Sequence, residues 1–131
     1  MEFITNGNPS IYSTQNNTTL LHTDNITNDF NIVYINGKLD ISLAEKLENE
    51  FTSKMTSQKN IIIDMSRCEY ISNYGLYFLS LIVNKAKLLN IKIIFTSIID
   101  KISEIFELTG FSNAIELAPT FEDAIKEYAF N

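Results

Sequence analysis

The sequence lacks several of the residues from which catalytic and metal sites are commonly built. Among 131 residues there is one cysteine, Cys68, and one histidine, His22. A single cysteine excludes an intramolecular disulfide and a zinc site with several thiolate ligands, and it fits a reducing environment. The four glycines, at positions 7, 37, 75 and 110, are too widely spaced for a phosphate-binding loop or a dinucleotide-binding fingerprint. We therefore expect no enzyme activity, no cofactor and no metal.

Charge and hydrophobicity argue against two classes of partner. Ten Lys and Arg residues stand against 16 Asp and Glu residues, a net charge of -6, which repels a phosphate backbone, so no nucleic acid is expected to bind. The longest apolar run, residues 76–83, is far shorter than the ~20 residues that cross a bilayer, so no membrane insertion is expected. The first residues do not resemble a signal peptide. These features predict a cytoplasmic location.

The distribution of apolar residues predicts one domain preceded by an arm. Residues 1–18 are rich in Asn, Thr and Ser and contain few clustered apolar side chains, so we predict that they form a flexible N-terminal arm. From residue 19 to residue 131 apolar segments recur without a linker. With 45% hydrophobic residues overall, this part is predicted to fold as a single domain.

Hydrophobic periodicity predicts alternating strands and helices. Strands are expected at residues 30–35, 60–65, 91–96 and 114–117, with a weaker one at 19–26 in a hairpin. Helices are expected from a capping box at Ser42 and Glu45, at residues 73–89, at residues 100–109 ending at Gly110, and at residues 121–128 after Thr120. Strands joined through single helices need crossover connections. We therefore predict an α/β fold with a mixed, mostly parallel sheet of four to five strands and about four helices.

Three polar positions near strand ends have two interpretations each. Asp40 and Asp64 follow apolar strands, at the edge where α/β folds commonly bind ligands, but each carboxylate could instead stabilise a turn. Cys68 is predicted in the loop after the central strand, as a reactive thiol or as a small apolar residue.

The segment from Tyr70 to Leu76 is the most distinctive of the chain. Ser72 is predicted to cap the second long helix, whose N-terminus would stabilise an anion or a phosphorylated side chain. On a helical wheel one face of this helix is predicted to join the core: Gly75, Phe78, Leu79, Ile82, Ala86 and Leu89, with Val83 at its margin. A second apolar stripe consists of Tyr74, Tyr77, Leu81 and Leu88. It is predicted to be a surface for a partner, or to be covered by a neighbouring helix or by the N-terminal arm.

Four stretches, taken in order, carry a family resemblance. Residues 35–40 read Ile-Asn-Gly-Lys-Leu-Asp, residues 61–66 read Ile-Ile-Ile-Asp-Met-Ser, and the segment of residues 70–76 follows. The fourth stretch combines Glu-Leu-Thr-Gly-Phe at 107–111 with Pro-Thr-Phe-Glu-Asp-Ala at 119–124. Together they resemble the STAS domain of bacterial anti-sigma factor antagonists over residues 19–130. Lys38 stands where that family has glutamate.

The resemblance implies a partner-switching function. Such antagonists bind an anti-sigma factor that is also a serine kinase, and phosphorylation of the antagonist ends the binding. The family's loop reads Asp-Ser-Ser/Thr-Gly, with the acceptor hydroxyl before the glycine, whereas residues 72–75 read Ser-Asn-Tyr-Gly. Tyr74 thus fills the acceptor position, ahead of Gly75, and Ser72 fills the acidic position, with Asn73 between them. A serine kinase aligned on this loop is not expected to phosphorylate a phenol, which projects farther than a serine hydroxyl.

Three mechanisms follow from the resemblance. The favoured one is constitutive binding of an anti-sigma factor, with Tyr74 and Tyr77 as aromatic anchors. In the second, Ser72 is an alternative phosphoacceptor. In the third, the domain serves another assembly, such as a stressosome or the cytoplasmic part of a lipid-transport complex. From a different class, a small nucleotide-binding domain would use Asp40, Asp64 and the helix terminus at Ser72. Weak self-association is left open.

Overall fold

The computed structural model describes residues 30–129. The predicted arm at residues 1–18, the predicted strand at residues 19–26 and His22 lie outside the described residues. No helix in the described range is long and apolar enough to cross a membrane.

Helices alternate with single strands or with two successive strands along the described chain. The strands are β1 (Phe30–Tyr34), β2 (Gly37–Leu39), β3 (Asn60–Asp64), β4 (Cys68–Ile71), β5 (Ile93–Thr96) and β6 (Glu116–Ala118). The helices are α1 (Ile41–Thr56), α2 (Asn73–Leu88), α3 (Asp100–Leu108) and α4 (Phe121–Ala129), with a 3-10 turn at Phe111–Ala114. The predicted α/β class is confirmed.

The main sheet has four strands in the order β1-β3-β5-β6, and each neighbouring pair is parallel. The second strand in this order, β3, contains the run Ile61–Ile63, which has no solvent exposure. A continuous buried run of this kind is typical of a parallel strand covered on both faces. Sequence analysis missed β2 and β4, which pair in parallel as a separate two-stranded ribbon.

The two faces of the sheet pack against different helices. Ile61 and Ile63 point into a large cluster that includes buried side chains of α1, α2 and α3, whereas Ile62 belongs to a smaller cluster with Ala124 and Ile125 of α4. This division follows from the strand geometry, in which successive side chains point to opposite faces. As a result α1, α2 and α3 share one side of the sheet, and α4 lies on the other.

Helix α1 begins earlier than predicted. Asp40 has extended backbone angles, and its carboxylate oxygen Oδ1 accepts a hydrogen bond from the backbone N–H of Leu43 at 3.1 Å. The predicted capping box at Ser42 is therefore wrong, because Asp40 directly follows β2 and caps the helix, which already includes Ser42. The buried face of α1 consists of Ala44, Leu47, Phe51 and Met55.

The C-terminal third of the described chain follows local signals closely. Gly110 adopts φ 79°, the left-handed conformation that ends a helix, and Phe111 folds back so that its ring lies 4.8 Å from that of Phe106. Residues 111–114 then form the 3-10 turn, so the last strand begins later than predicted. The hydroxyl of Thr120 accepts from the backbone N–H of Asp123 at 3.1 Å, which confirms the predicted cap of α4.

Candidate functional site

The loop that enters α2 is held against the end of β2. The Ser72 hydroxyl oxygen accepts a hydrogen bond from the backbone N–H of Gly75 at 3.0 Å and donates one to the carbonyl of Leu39 at 3.3 Å. The backbone N–H of Ser72 donates to the same carbonyl at 3.0 Å. The prediction that Ser72 caps α2 is confirmed, and its hydroxyl is already used twice.

Gly75 is required by the close approach of α2 to β2. A Cβ atom at this position would overlap the carbonyl oxygen of Leu39 and would lie 3.0 Å from Cγ of Leu39 and 3.1 Å from Cγ1 of Ile71. Sequence analysis placed Gly75 in the loop and on the core face, but it missed this steric requirement. The signal in the sequence is a glycine within a helical pattern, which costs helix stability and therefore indicates a packing constraint.

A Ser72→Ala variant tests the cap. We expect it to lose about 1 kcal/mol of free energy of unfolding, because the Gly75 N–H loses its acceptor. Ser72→Thr keeps the hydroxyl and is expected to retain most of that stability. Urea denaturation measures the stability of both Ser72 variants and of Asn73→Ala, a control at the exposed neighbouring residue. Equal losses for alanine and threonine at position 72 would contradict the assigned role.

The second apolar face of α2 is exposed. Its members, which we call the α2 stripe, are Tyr74, Tyr77, Leu81 and Leu88, with exposed fractions of 41%, 57%, 47% and 86%. The two tyrosine rings lie edge to face with centroids 6.0 Å apart. No other helix within residues 30–129 covers this stripe. The alternative prediction, that residues 1–18 cover the stripe, concerns residues outside the described part of the chain.

The opposite face of α2 is buried largely as predicted. Its buried residues are Gly75, Phe78, Leu79, Ile82, Val83 and Ala86. Val83, predicted at the margin, belongs to this core face. Leu89 does not, because the helix ends at Leu88 and leaves Leu89 exposed at the C-cap.

Asp40 and Asp64 both bind backbone groups. Asp40 caps α1, and the carboxylate oxygen Oδ1 of Asp64 accepts from the backbone N–H of Ser66 at 2.9 Å. Each carboxylate thus accepts a backbone donor, Asp40 at the N-terminus of a helix and Asp64 in a turn. Across residues 30–129, no group of three or more His, Cys, Asp or Glu side chains is arranged to hold a metal ion.

Cys68 is the first residue of β4 and is completely buried, so its predicted position in a loop is wrong. Its Sγ donates to the carbonyl of Tyr70 at 3.5 Å. Burial raises the pKa of the Cys68 thiol, because the charged thiolate is poorly solvated there. The residue behaves as a small apolar side chain of the core.

Cys68 is therefore expected to resist alkylation in the folded protein. The thiolate is the reactive form, and both burial and the raised pKa reduce its availability. Mass spectrometry after iodoacetamide treatment should show labelling in concentrated urea and almost none in native buffer. Native labelling as fast as that of the unfolded chain would place the thiol at the surface and contradict this description.

This protein is a small α/β domain with a parallel sheet, the β2–β4 ribbon and a helix, α2, whose N-terminus rests on that ribbon. One face of α2 is buried and the other exposes the α2 stripe. The family model for the STAS domain matches residues 19–124, and the chain belongs to that family. It is similar to the putative anti-sigma factor antagonist BtrV of Bordetella bronchiseptica, with 24% identity over 94 residues that cover 71% of this chain and 81% of BtrV. The resemblance stated from the sequence is confirmed.

Two solved structures share the fold. A sulfate transporter family protein from Wolinella succinogenes has a TM-score of 0.71 and 17% identity, with 78% of this chain and 86% of that chain covered. A putative anti-sigma factor antagonist from Thermotoga maritima has a TM-score of 0.67 and 18% identity, with 75% of this chain and 87% of that chain covered. At these identities the likeness shows a common fold, which proteins of different function share.

Proposed function

We propose that this chain is a non-enzymatic, cytoplasmic anti-sigma factor antagonist that binds a kinase-like anti-sigma factor through the α2 stripe. The observation that carries the proposal is the stripe itself, a row of exposed aromatic and aliphatic side chains that starts beside the Ser72 cap. Exposed apolar groups arranged in one row favour association with another protein. Similarity to BtrV supports the choice of partner.

The binding is proposed to be constitutive. Tyr74 occupies the position before Gly75, and its hydroxyl lies at the far end of an aromatic ring, out of reach for a serine kinase docked on this loop. The Ser72 hydroxyl donates to the Leu39 carbonyl at 3.3 Å, and a phosphoryl ester at that oxygen could no longer donate. Phosphorylation at Ser72 would therefore cost a hydrogen bond and bring negative charge near a carbonyl oxygen. Both features favour an antagonist without the usual phosphorylation switch.

The paired tyrosines are well suited to anchor an interface. Because the rings of Tyr74 and Tyr77 contact each other edge to face, each restricts the motion of the other before a partner arrives. Such preorganisation lowers the entropy cost of binding. Tyrosine is also among the residues that most often dominate binding energy, through a large apolar body and one polar group.

Affinity capture from native cells tests the proposal. The wild-type chain is expected to recover an anti-sigma factor, and Tyr74→Ala is expected to lose it. Leu117→Ala, in β6, changes an exposed apolar residue outside α2 and should retain the partner. A partner recovered equally by all three chains would contradict binding through α2.

Two further measurements and the identity of the captured protein separate the alternatives. Intact mass after incubation with the recovered partner and ATP should show no added phosphoryl group, whereas a phosphoryl group located on Ser72 would establish the alternative acceptor. Recovery of a stressosome protein or a transporter ATPase instead of an anti-sigma factor would assign the domain to another STAS assembly. Calorimetric titration with ATP and GTP should show no binding; tight binding lost in Asp64→Ala would support a nucleotide-binding domain.

A further inference from the structure

Helix α2 differs in charge from the other described helices. Each of the other three described helices carries three carboxylates: Glu45, Glu48 and Glu50 in α1, Asp100, Glu104 and Glu107 in α3, and Glu122, Asp123 and Glu127 in α4. Helix α2 carries none, although the protein has a net charge of -6. Its two ionisable groups other than tyrosine are Lys85 and Lys87.

Lys85 lies on the same face of the helix as the α2 stripe. It follows Leu81 by four residues and precedes Leu88 by three, and these spacings place the three side chains on one face of a helix. Lys85 is exposed, and its ammonium group makes no hydrogen bond or ion pair with the residues at 30–129. Lys87, by contrast, points aside and donates to the carbonyl of Ala114 at 3.3 Å.

We infer that the α2 stripe binds an amphipathic helix of a second protein, with an apolar contact face and a carboxylate opposite Lys85. This inference rests on the proposed function and adds the chemistry of the partner. From Tyr74 to Leu88 the stripe runs about 21 Å in a straight row, a shape that fits the groove between side-chain rows of another helix. A partner that covers this row also covers Lys85, and an unpaired buried ammonium is strongly unfavourable.

Charge disfavours a second copy of this chain as the occupant. Two α2 helices packed together through this stripe would bring the Lys85 side chains of both copies into one contact, with no carboxylate from either helix to pair with them. Each copy also has a net charge of -6, which opposes self-association. An acidic amphipathic helix satisfies both the apolar stripe and Lys85.

Photo-cross-linking identifies the occupant. A benzophenone amino acid replaces Leu81 in the full chain expressed in its native cells, and the cross-linked peptides are sequenced. The expected product joins position 81 to a helical segment of another protein with Asp or Glu within one turn of the linked residue. Cross-links between two copies of this chain, or to a segment without carboxylates, overturn the inference, and absence of any cross-link overturns the proposed function as well.

Charge reversal then tests the ion pair with the cross-linked protein as the probe. Lys85→Glu is expected to weaken binding at least tenfold, Lys85→Gln less so, and exchange of the partner carboxylate for lysine should restore binding to Lys85→Glu. Lys46→Glu makes the same charge change on the exposed side of α1 and should leave the affinity within twofold. If Tyr77→Ala abolishes binding while Lys85→Glu does not, the proposed function stands and the inference fails. If neither variant changes binding, both fail.

Discussion

The Gly75→Ala variant is expected to lose at least about 2 kcal/mol of free energy of unfolding, because its new methyl group overlaps the carbonyl oxygen of Leu39. Backbone cannot rotate away as a flexible side chain could, so α2 must move off β2. That movement also separates the Ser72 hydroxyl from the Leu39 carbonyl. Urea denaturation followed by circular dichroism measures the loss.

Gly110→Ala is the matched control for this prediction. Its Cβ would contact nothing within 4 Å, so the substitution costs only the strain of a left-handed alanine, about 1 kcal/mol. Helix propensity alone would make Gly75→Ala stabilising by about 1 kcal/mol. A stabilised Gly75→Ala protein, or one no less stable than Gly110→Ala, would show that α2 does not approach β2 as closely as described.

The double variant Tyr77→Ala/Leu81→Ala is expected to bind its partner about 100-fold more weakly, a change of about 2.8 kcal/mol. Both side chains are about half exposed in the free protein, so their removal should change the free energy of unfolding by less than about 0.5 kcal/mol each. Isothermal titration calorimetry and urea denaturation on the same preparations separate the two effects.

Leu108→Ala/Leu117→Ala serves as the control pair for that variant. Leu117 is 49% exposed, close to the 47% of Leu81, and Leu108 is still more exposed, so both are apolar surface residues outside α2. Removing them should leave the affinity unchanged. A control pair that weakens binding as much as the stripe variant would mean that general surface hydrophobicity, and not α2, determines the interaction.

The elements predicted correctly are those whose signals are local. The run Ile61–Ile63 is apolar on both sides of the strand, and this pattern is typical of a central parallel strand. Gly110 with Phe111 ends α3 by a rule that involves a few neighbouring residues. Ser72 likewise needs only the next few backbone amides to act as a cap. Each of these features could be read without knowledge of the rest of the chain.

The features that sequence analysis missed depend on distant residues. Strands β2 and β4 have three and four residues, too few for a two-residue period to be recognised, and each is stabilised by pairing with the other. Cys68 begins β4, so its predicted position in a loop was wrong, whereas the alternative of a small apolar residue was correct. The need for glycine at position 75 comes from the Leu39 carbonyl, which only the folded structure brings close.

For the candidate surface, too, the local features were predicted and the features that depend on distant residues were not. Helical spacing predicted the two faces of α2 because it depends on α2 alone. Which face stays uncovered depends on how α1 and α3 pack, and the structure leaves the α2 stripe exposed among the described residues. Lys85 is unpaired because no carboxylate of another described element lies near it. The periodicity of α2 alone cannot predict this.

Methyl NMR of leucine-labelled protein gives the most direct test that α2 is the docking surface. Leu81 and Leu88 lie in the α2 stripe, whereas Leu108 and Leu117 are exposed elsewhere, so the four signals compare two surfaces in one sample. Upon addition of the captured partner, the methyl signals of Leu81 and Leu88 should shift or broaden while those of Leu108 and Leu117 stay in place. Shifts confined to Leu108 and Leu117, with Leu81 and Leu88 unchanged, would contradict docking on α2.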